Sequence, residues 1–69
     1  MEDIYKKIRY LRVKNNMSQD ELAEALGYTD RSSIAKIEGG KVDLKLSKIK
    51  AFANVFHVSI DYLLSSRSE

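Results

Sequence analysis

Apolar residues recur at helical spacing along much of the chain. Ile4, Ile8 and Leu11 lie three or four positions apart and predict a first helix from Ile4 to Asn15. A later run repeats this spacing and contains both phenylalanines, which marks it as the central helix of the core. It consists of Leu46, Ile49, Phe52, Ala53 and Phe56. No segment predicts a strand.

Capping signals divide the region between these two runs. Ser18-Gln19-Asp20-Glu21 has the form of a capping box and predicts a second helix from Gln19 to Leu26. Gly27 then supplies the left-handed conformation that ends many helices. The chain therefore turns sharply after a short helix.

A third helix is predicted from about Arg31 to Glu38, and Gly39-Gly40 ends it. Its cap is Asp30 by preference, with Thr29 as the alternative. The helix offers only Ile34 and Ile37, with the small Ala35, for apolar contacts. Much of its surface must therefore face outward.

Two further helices are predicted, which gives an all-α architecture of five helices. Ser47 or Asp43 is expected to cap the fourth helix, and Ser59 is expected to cap a fifth helix from Ile60 to about Ser65. The chain has 69 residues, which is room for one domain, taken as residues 1–69.

Composition narrows the possible functions. The chain lacks cysteine, and His57 is its single histidine, so neither a metal site, a cofactor nor an enzyme active site is expected. No apolar run reaches the length of a membrane span, which predicts a soluble, cytoplasmic protein without a small-molecule substrate. The net charge of +2 fits an acidic partner but does not identify one.

Two short helices joined by a glycine-containing turn, the second with a polar face, form a helix-turn-helix at about residues 18–38. The sequence resembles the Cro and phage-repressor (Xre-like) family of regulators over nearly its whole length. The matching segments are Ser18-Gln19-Asp20-Glu21-Leu22-Ala23, Gly27, Ser33-Ile34, Ile37-Glu38 and Val58-Ser59-Ile60-Asp61-Tyr62-Leu63-Leu64. The resemblance implies a lambda-repressor-like five-helix fold and sequence-specific binding of double-stranded DNA by a small repressor.

The family's functional positions carry over onto this sequence residue by residue. The resemblance implies base contacts from the outward face of the third helix, at Arg31, Ser32, Ala35 and Lys36. It implies phosphate contacts at Gln19, Ser33, Lys41 and Lys45. It also implies a structural ion pair between Arg12 and Glu38.

Some of these roles stay open. Ser33 suits a phosphate contact or the helix cap, Ala35 suits a thymine methyl or any crowded helix position, and Lys41 and Lys45 also suit plain solvation. The turn before the third helix is one residue longer than in shorter phage members. Whether Asp30 or Thr29 is the cap therefore decides whether Arg31 faces a base or a phosphate.

A lone domain reads only a few base pairs, so a homodimer on a palindromic operator is the expected assembly. One alternative keeps the fold and changes the partner. In that case the chain is a protein-interaction module, such as an antitoxin or an adaptor, and acts mainly through another protein.

Overall fold

The structure is a computed structural model that describes the backbone of residues 2–65 and the side chains of residues 4–65. Within these residues there are five helices and no strand, as predicted. They are α1 (Glu2–Lys14), α2 (Gln19–Leu26), α3 (Ser32–Glu38), α4 (Leu46–Phe56) and α5 (Ile60–Leu64). The predicted domain of residues 1–69 also includes Met1 and residues 66–69, which lie outside the described residues.

One apolar core joins the five helices, and each helix contributes a side chain with no exposed surface. These side chains belong to Ile8, Leu22, Ile34, Phe52 and Leu63. They are among the positions that the helical spacing selects, because residues three or four apart share one face of a helix. The core therefore fixes the orientation of α2 and α3, which carry the candidate site.

The ends of α2 form as the sequence predicts. The backbone N–H of Glu21 donates to the Ser18 hydroxyl at 3.0 Å, and the Ser18 N–H donates to the Glu21 carboxylate at 2.7 Å. Gly27 has a φ of 82°, in the left-handed region, and a Cβ built there would meet no atom within 4 Å. Glycine is therefore needed at this position for its backbone freedom and not for space.

The start of α4 differs from the prediction. Lys45 occupies the cap position and no side chain there accepts a hydrogen bond, so neither Asp43 nor Ser47 caps the helix. The buried face of α4, with Ile49, Phe52 and Phe56, stabilises the helix through packing instead. Tertiary contacts have replaced the cap.

Lys7 of α1 is a charged residue that is buried. The side chain is only 5% exposed, and Nζ donates at 2.9 Å to the carbonyls of Tyr62 and Ser65 and to the Ser65 hydroxyl. Nζ also lies 4.5 Å from the centroid of the Tyr62 ring. An ammonium group satisfies all its donors in this way and stabilises the carbonyl end of α5.

None of the described helices combines the length and the hydropathy that crossing a bilayer requires.

Candidate nucleic-acid interface

The helices α2 and α3 form one packed unit. Leu22 and Ala23 of α2 are buried, as are Ile34 and Ile37 of α3. The turn between the two helices, residues 27–31, is short and begins at the left-handed Gly27. Because its apolar side is buried in the domain, α3 presents its opposite side to solvent.

The outward side of α3 carries the residues for which base contacts were predicted. Arg31, Ser32, Ala35 and Lys36 are all exposed. Their spacing of one, three and one positions places them on a single helical face. Ser33 lies at the edge of this face and is half-buried. The surface combines two cations, a hydroxyl and a methyl group, which are groups that can contact base edges in a major groove.

The Asp30 carboxylate caps the start of α3. It accepts hydrogen bonds from the Ser32 N–H, at 3.0 Å, and from the Ser32 hydroxyl. Arg31 has the helical dihedrals φ −71° and ψ −14°, so the helical conformation begins there although the regular helix is assigned from Ser32. Arg31 occupies the cap position itself and its side chain makes no cap hydrogen bond, so the Asp30 carboxylate accepts the hydrogen bonds at the start of this helix. No such bond is made by Thr29 in place of Asp30, and we therefore take Asp30 as the capping side chain. Because the Ser32 hydroxyl donates to Asp30, its oxygen is left to accept a hydrogen bond from a base.

Substitution of Asp30 with alanine should lower the melting temperature at pH 7, because orphan N–H groups in the first turn of α3 lose their acceptor. Hydrogen bonds from the Ser32 hydroxyl and from the backbone hold the pKa of Asp30 below its ordinary value of 3.8. A folded-state pKa below the unfolded value means that the stabilisation is present above the unfolded pKa. It is lost as the pH falls through the folded pKa.

Thermal melts of Asp30→Ala and Thr29→Ala between pH 7 and pH 3 measure this effect. We expect the gap between Asp30→Ala and the parent protein to close toward pH 3, and Thr29→Ala to resemble the parent throughout. Equal effects of the two substitutions at pH 7 would contradict the assignment of the cap.

A polar network joins the candidate interface to α1. The Arg12 guanidinium donates to both carboxylate oxygens of Glu38, at 2.6 and 3.2 Å, and to the Met17 carbonyl at 2.9 Å. The two charged side chains are only 13% and 6% exposed. The network links the end of α1, the start of α2 and the end of α3.

Gln19 belongs to the same network. Its side-chain amide nitrogen donates to Glu38 at 3.2 Å. An amide nitrogen has two hydrogens, so one remains for the phosphate contact that the sequence predicted at Gln19. The contact with Glu38 fixes the direction of this side chain at the first residue of α2. The backbone N–H groups of that helix end lie beside it and also favour an anion.

The segment after α3 contributes cations. Lys41 and Lys45 are exposed, whereas Lys48 is half-buried, with its Nζ 4.5 Å from the centroid of the Tyr28 ring. Tyr28, Lys36, Lys45 and Lys48 are among the residues that line an open groove of about 390 Å³. No local sequence pattern predicts that Lys48 belongs to this groove, because Tyr28 and Lys48 are far apart in the chain.

No cluster of three or more histidine, cysteine, aspartate or glutamate side chains occurs among the residues that the structure describes. His57 is exposed and ends α4 with a φ of 58°. The outward side of α3 and the segment after it instead carry exposed hydrogen-bond donors and cations.

A family profile described as Helix-turn-helix matches residues 8–63 of this chain. The chain belongs to this helix-turn-helix family. The match spans α2 and α3 and most of the core. In proteins with this motif the second helix enters the major groove of DNA, which agrees with the fold and the motif that the resemblance implied.

Two relatives in the helix-turn-helix family are themselves regulators by name. The HTH-type transcriptional activator BcrR of Enterococcus faecalis is 41% identical over 59 residues, which is 86% of this chain. The aligned region spans only 28% of that relative's length. An uncharacterized HTH-type transcriptional regulator of Methanocaldococcus jannaschii is 38% identical over 80% of this chain and 82% of its own.

Solved helix-turn-helix structures share the fold. The restriction-modification controller protein C.AhdI of Aeromonas hydrophila superposes with a TM-score of 0.80 and 27% identity, over 90% of this chain and 92% of its own. The P22 c2 repressor, solved with a synthetic operator, gives a TM-score of 0.81 over 93% of this chain and 96% of its own. At 23% identity the second comparison establishes the fold alone.

Proposed function

We propose that this protein binds double-stranded DNA sequence-specifically, with α3 in the major groove, and thereby represses transcription. The observation that best supports this proposal is an exposed face on a helix whose other face is buried. The exposed face is formed by Arg31, Ser32, Ala35 and Lys36. A helix held in this way enters a groove without rearrangement, so the four side chains reach base edges together. No cofactor and no catalytic step is needed.

The surrounding groups position the helix on the DNA backbone. Ser33 lies at the edge of the outward side of α3, and Gln19, Lys41 and Lys45 lie outside that helix. All four are assigned to phosphate contacts. Lys48 joins them, because the groove beside α3 contains it together with Lys36 and Lys45. Contacts of this kind supply affinity that depends on salt and carry no sequence information of their own.

The proposed assembly is a homodimer on a palindromic operator, located in the cytoplasm where the DNA is. One α3 helix reads only a few base pairs. Two copies related by a twofold axis would place their α3 helices about 34 Å apart, one turn of DNA, and double the length of the site.

Selection from a randomised duplex library, followed by titration of the enriched site at several salt concentrations, tests the proposal. We expect enrichment of a palindrome and a steep loss of affinity with salt. A folded protein that enriches no sequence would contradict DNA recognition and favour the interaction module, such as an antitoxin or adaptor.

A promoter reporter carrying the enriched site measures the direction of regulation. Repression is expected where the site overlaps the promoter. The Enterococcus relative is named as an activator, so increased transcription would replace repression in the proposal while leaving DNA recognition intact.

Substitution of Lys48 with methionine should weaken binding to all DNA sequences alike and reduce the salt slope by about 1. Methionine retains the apolar stem and removes the charge. Tyr28→Leu should produce a smaller loss of the same kind, because the aromatic face that holds the Lys48 ammonium is replaced by an aliphatic group.

Lys50→Met is the matched control for this prediction, since Lys50 is an exposed lysine of α4 outside the groove. Titrations at several salt concentrations measure all three variants. A salt slope in Lys48→Met equal to that of Lys50→Met would exclude Lys48 from the interface.

A further inference from the structure

We infer that α1 carries a second binding surface, which docks an acidic, amphipathic helical segment of another protein. The surface is a stripe along α1 that we call the α1 stripe. It consists of Lys6, Arg9, Tyr10, Val13 and Lys14. These positions are spaced by three, one, three and one residues and therefore occupy one face of the helix.

The centre of the α1 stripe is apolar and open to solvent. Val13 is 57% exposed and Tyr10 is 40% exposed. They are two of the four large apolar side chains that are exposed among the described residues, and they lie three positions apart on the same helix. Adjacent exposed apolar groups on a surface rimmed by charge are typical of a protein-binding site.

The rim of the α1 stripe is cationic. Lys6, Arg9 and Lys14 are exposed, and Glu38, which lines the same groove, is already paired with Arg12. The Lys14 ammonium lies 5.6 Å from the centroid of the Tyr10 ring, so cation and apolar centre are contiguous. A partner must therefore bring carboxylates to the rim.

The shape of the surface suits a short helix. An open groove of about 750 Å³ lies over the stripe. From Lys6 to Lys14 the stripe extends about 12 Å along the axis of α1, or roughly two turns of a partner helix. One or two apolar side chains of that helix would cover Tyr10 and Val13, and acidic side chains on either side would meet the lysines and the arginine.

Other occupants fit less well. A second copy of this chain would bring cations against cations if it paired through the same stripe. A DNA backbone offers phosphates to the rim but nothing apolar for Tyr10 and Val13. An acidic amphipathic helix complements both parts of the surface, so the inference is independent of the DNA-binding proposal.

The test uses the full chain and a synthetic helical peptide of about 15 residues, with leucines on one face and glutamates beside them. A permuted peptide of the same composition, with its leucines spread over all faces, is the control ligand. Titrations followed by amide chemical shifts locate the site. We expect shifts along the α1 stripe with the first peptide and much weaker binding of the second.

Matched variants test whether the α1 stripe is the site at which the peptide binds. Lys14→Gln should weaken peptide binding about threefold, and Lys50→Gln, an equivalent change on α4, should leave it unchanged. Val13→Asp should abolish binding, with circular dichroism confirming the fold, and should leave affinity for the enriched DNA site intact.

The inference is overturned if neither peptide binds, if both bind equally or if the shifts lie elsewhere. Loss of DNA affinity in Val13→Asp would also overturn it, because the stripe would then belong to the nucleic-acid interface.

Discussion

Replacing Glu38 with alanine should destabilise the protein by about 3 kcal/mol, the lower end of the cost of breaking a buried ion pair from one side. The substitution leaves the Arg12 guanidinium, which is only 13% exposed, without its carboxylate. It also removes the acceptor of the Gln19 amide. For a domain of this size the melting temperature should fall by roughly 12–24 °C.

Urea titration and thermal melts measure this loss, and Glu24→Ala is the matched control because Glu24 is exposed. Surface substitutions of that kind change stability by about 0.5 kcal/mol or less. Replacing both members of the pair, as in Arg12→Met with Glu38→Leu, should cost less than Glu38→Ala alone, since no charge is left buried. A Glu38→Ala variant as stable as Glu24→Ala would mean that the pair is effectively solvated.

Replacing Arg31 with alanine should weaken binding to the enriched operator by about 10- to 100-fold, equivalent to roughly 1–3 kcal/mol for one base contact. Arg31 has helical dihedrals and lies immediately before Ser32, the first residue of α3. The N-terminal residues of a recognition helix are the ones that meet base edges. Titration against the operator and its single-base variants should show relaxed discrimination at one position.

Lys50→Ala separates this effect from loss of charge, because it removes one exposed cation outside the interface. We expect it to lower affinity only slightly. If Arg31→Ala weakens binding to every operator variant equally and lowers the salt slope, Arg31 contacts a phosphate and the base-contact assignment is wrong.

The features that sequence reasoning predicted well are those that depend on neighbouring residues. The Ser18 capping box, the left-handed Gly27 and the Ser59 cap each involve groups only a few positions apart. The helical spacing of apolar residues selected the buried core for the same reason. Local hydrogen bonding and periodicity were therefore sufficient to predict the fold.

The features that it missed depend on tertiary contacts. The apolar face of α4 stabilises the helix without a side-chain cap, so the prediction of a cap at Asp43 or Ser47 is wrong. Lys7 lies among several basic residues of α1, and its burial depends on contacts with the end of α5, which is far away in the chain. Neither outcome has a signature within a few residues of the position concerned.

The candidate site divides in the same way. The polar face of α3 follows from its sequence, since Ile34 and Ile37 fix which side is buried. The contacts of Gln19 with Glu38 and of Lys48 with Tyr28 join residues about 20 positions apart, and each depends on how the helices pack. The sequence thus predicted which residue types face the groove but not what holds them in position.

The hydrogen bonds of Lys7 bridge 55 and 58 positions and join the first helix to the last. If α5 detached alone, the Lys7 ammonium would lose these acceptors. The apolar side chains of α1 and α4 that pack around α5 would at the same time become exposed to solvent. Partial opening from that end is therefore costly, and the domain should unfold as one cooperative unit. In a hydrogen-exchange experiment, the amides of α5 should then exchange only when the whole domain unfolds, although this helix has only five residues.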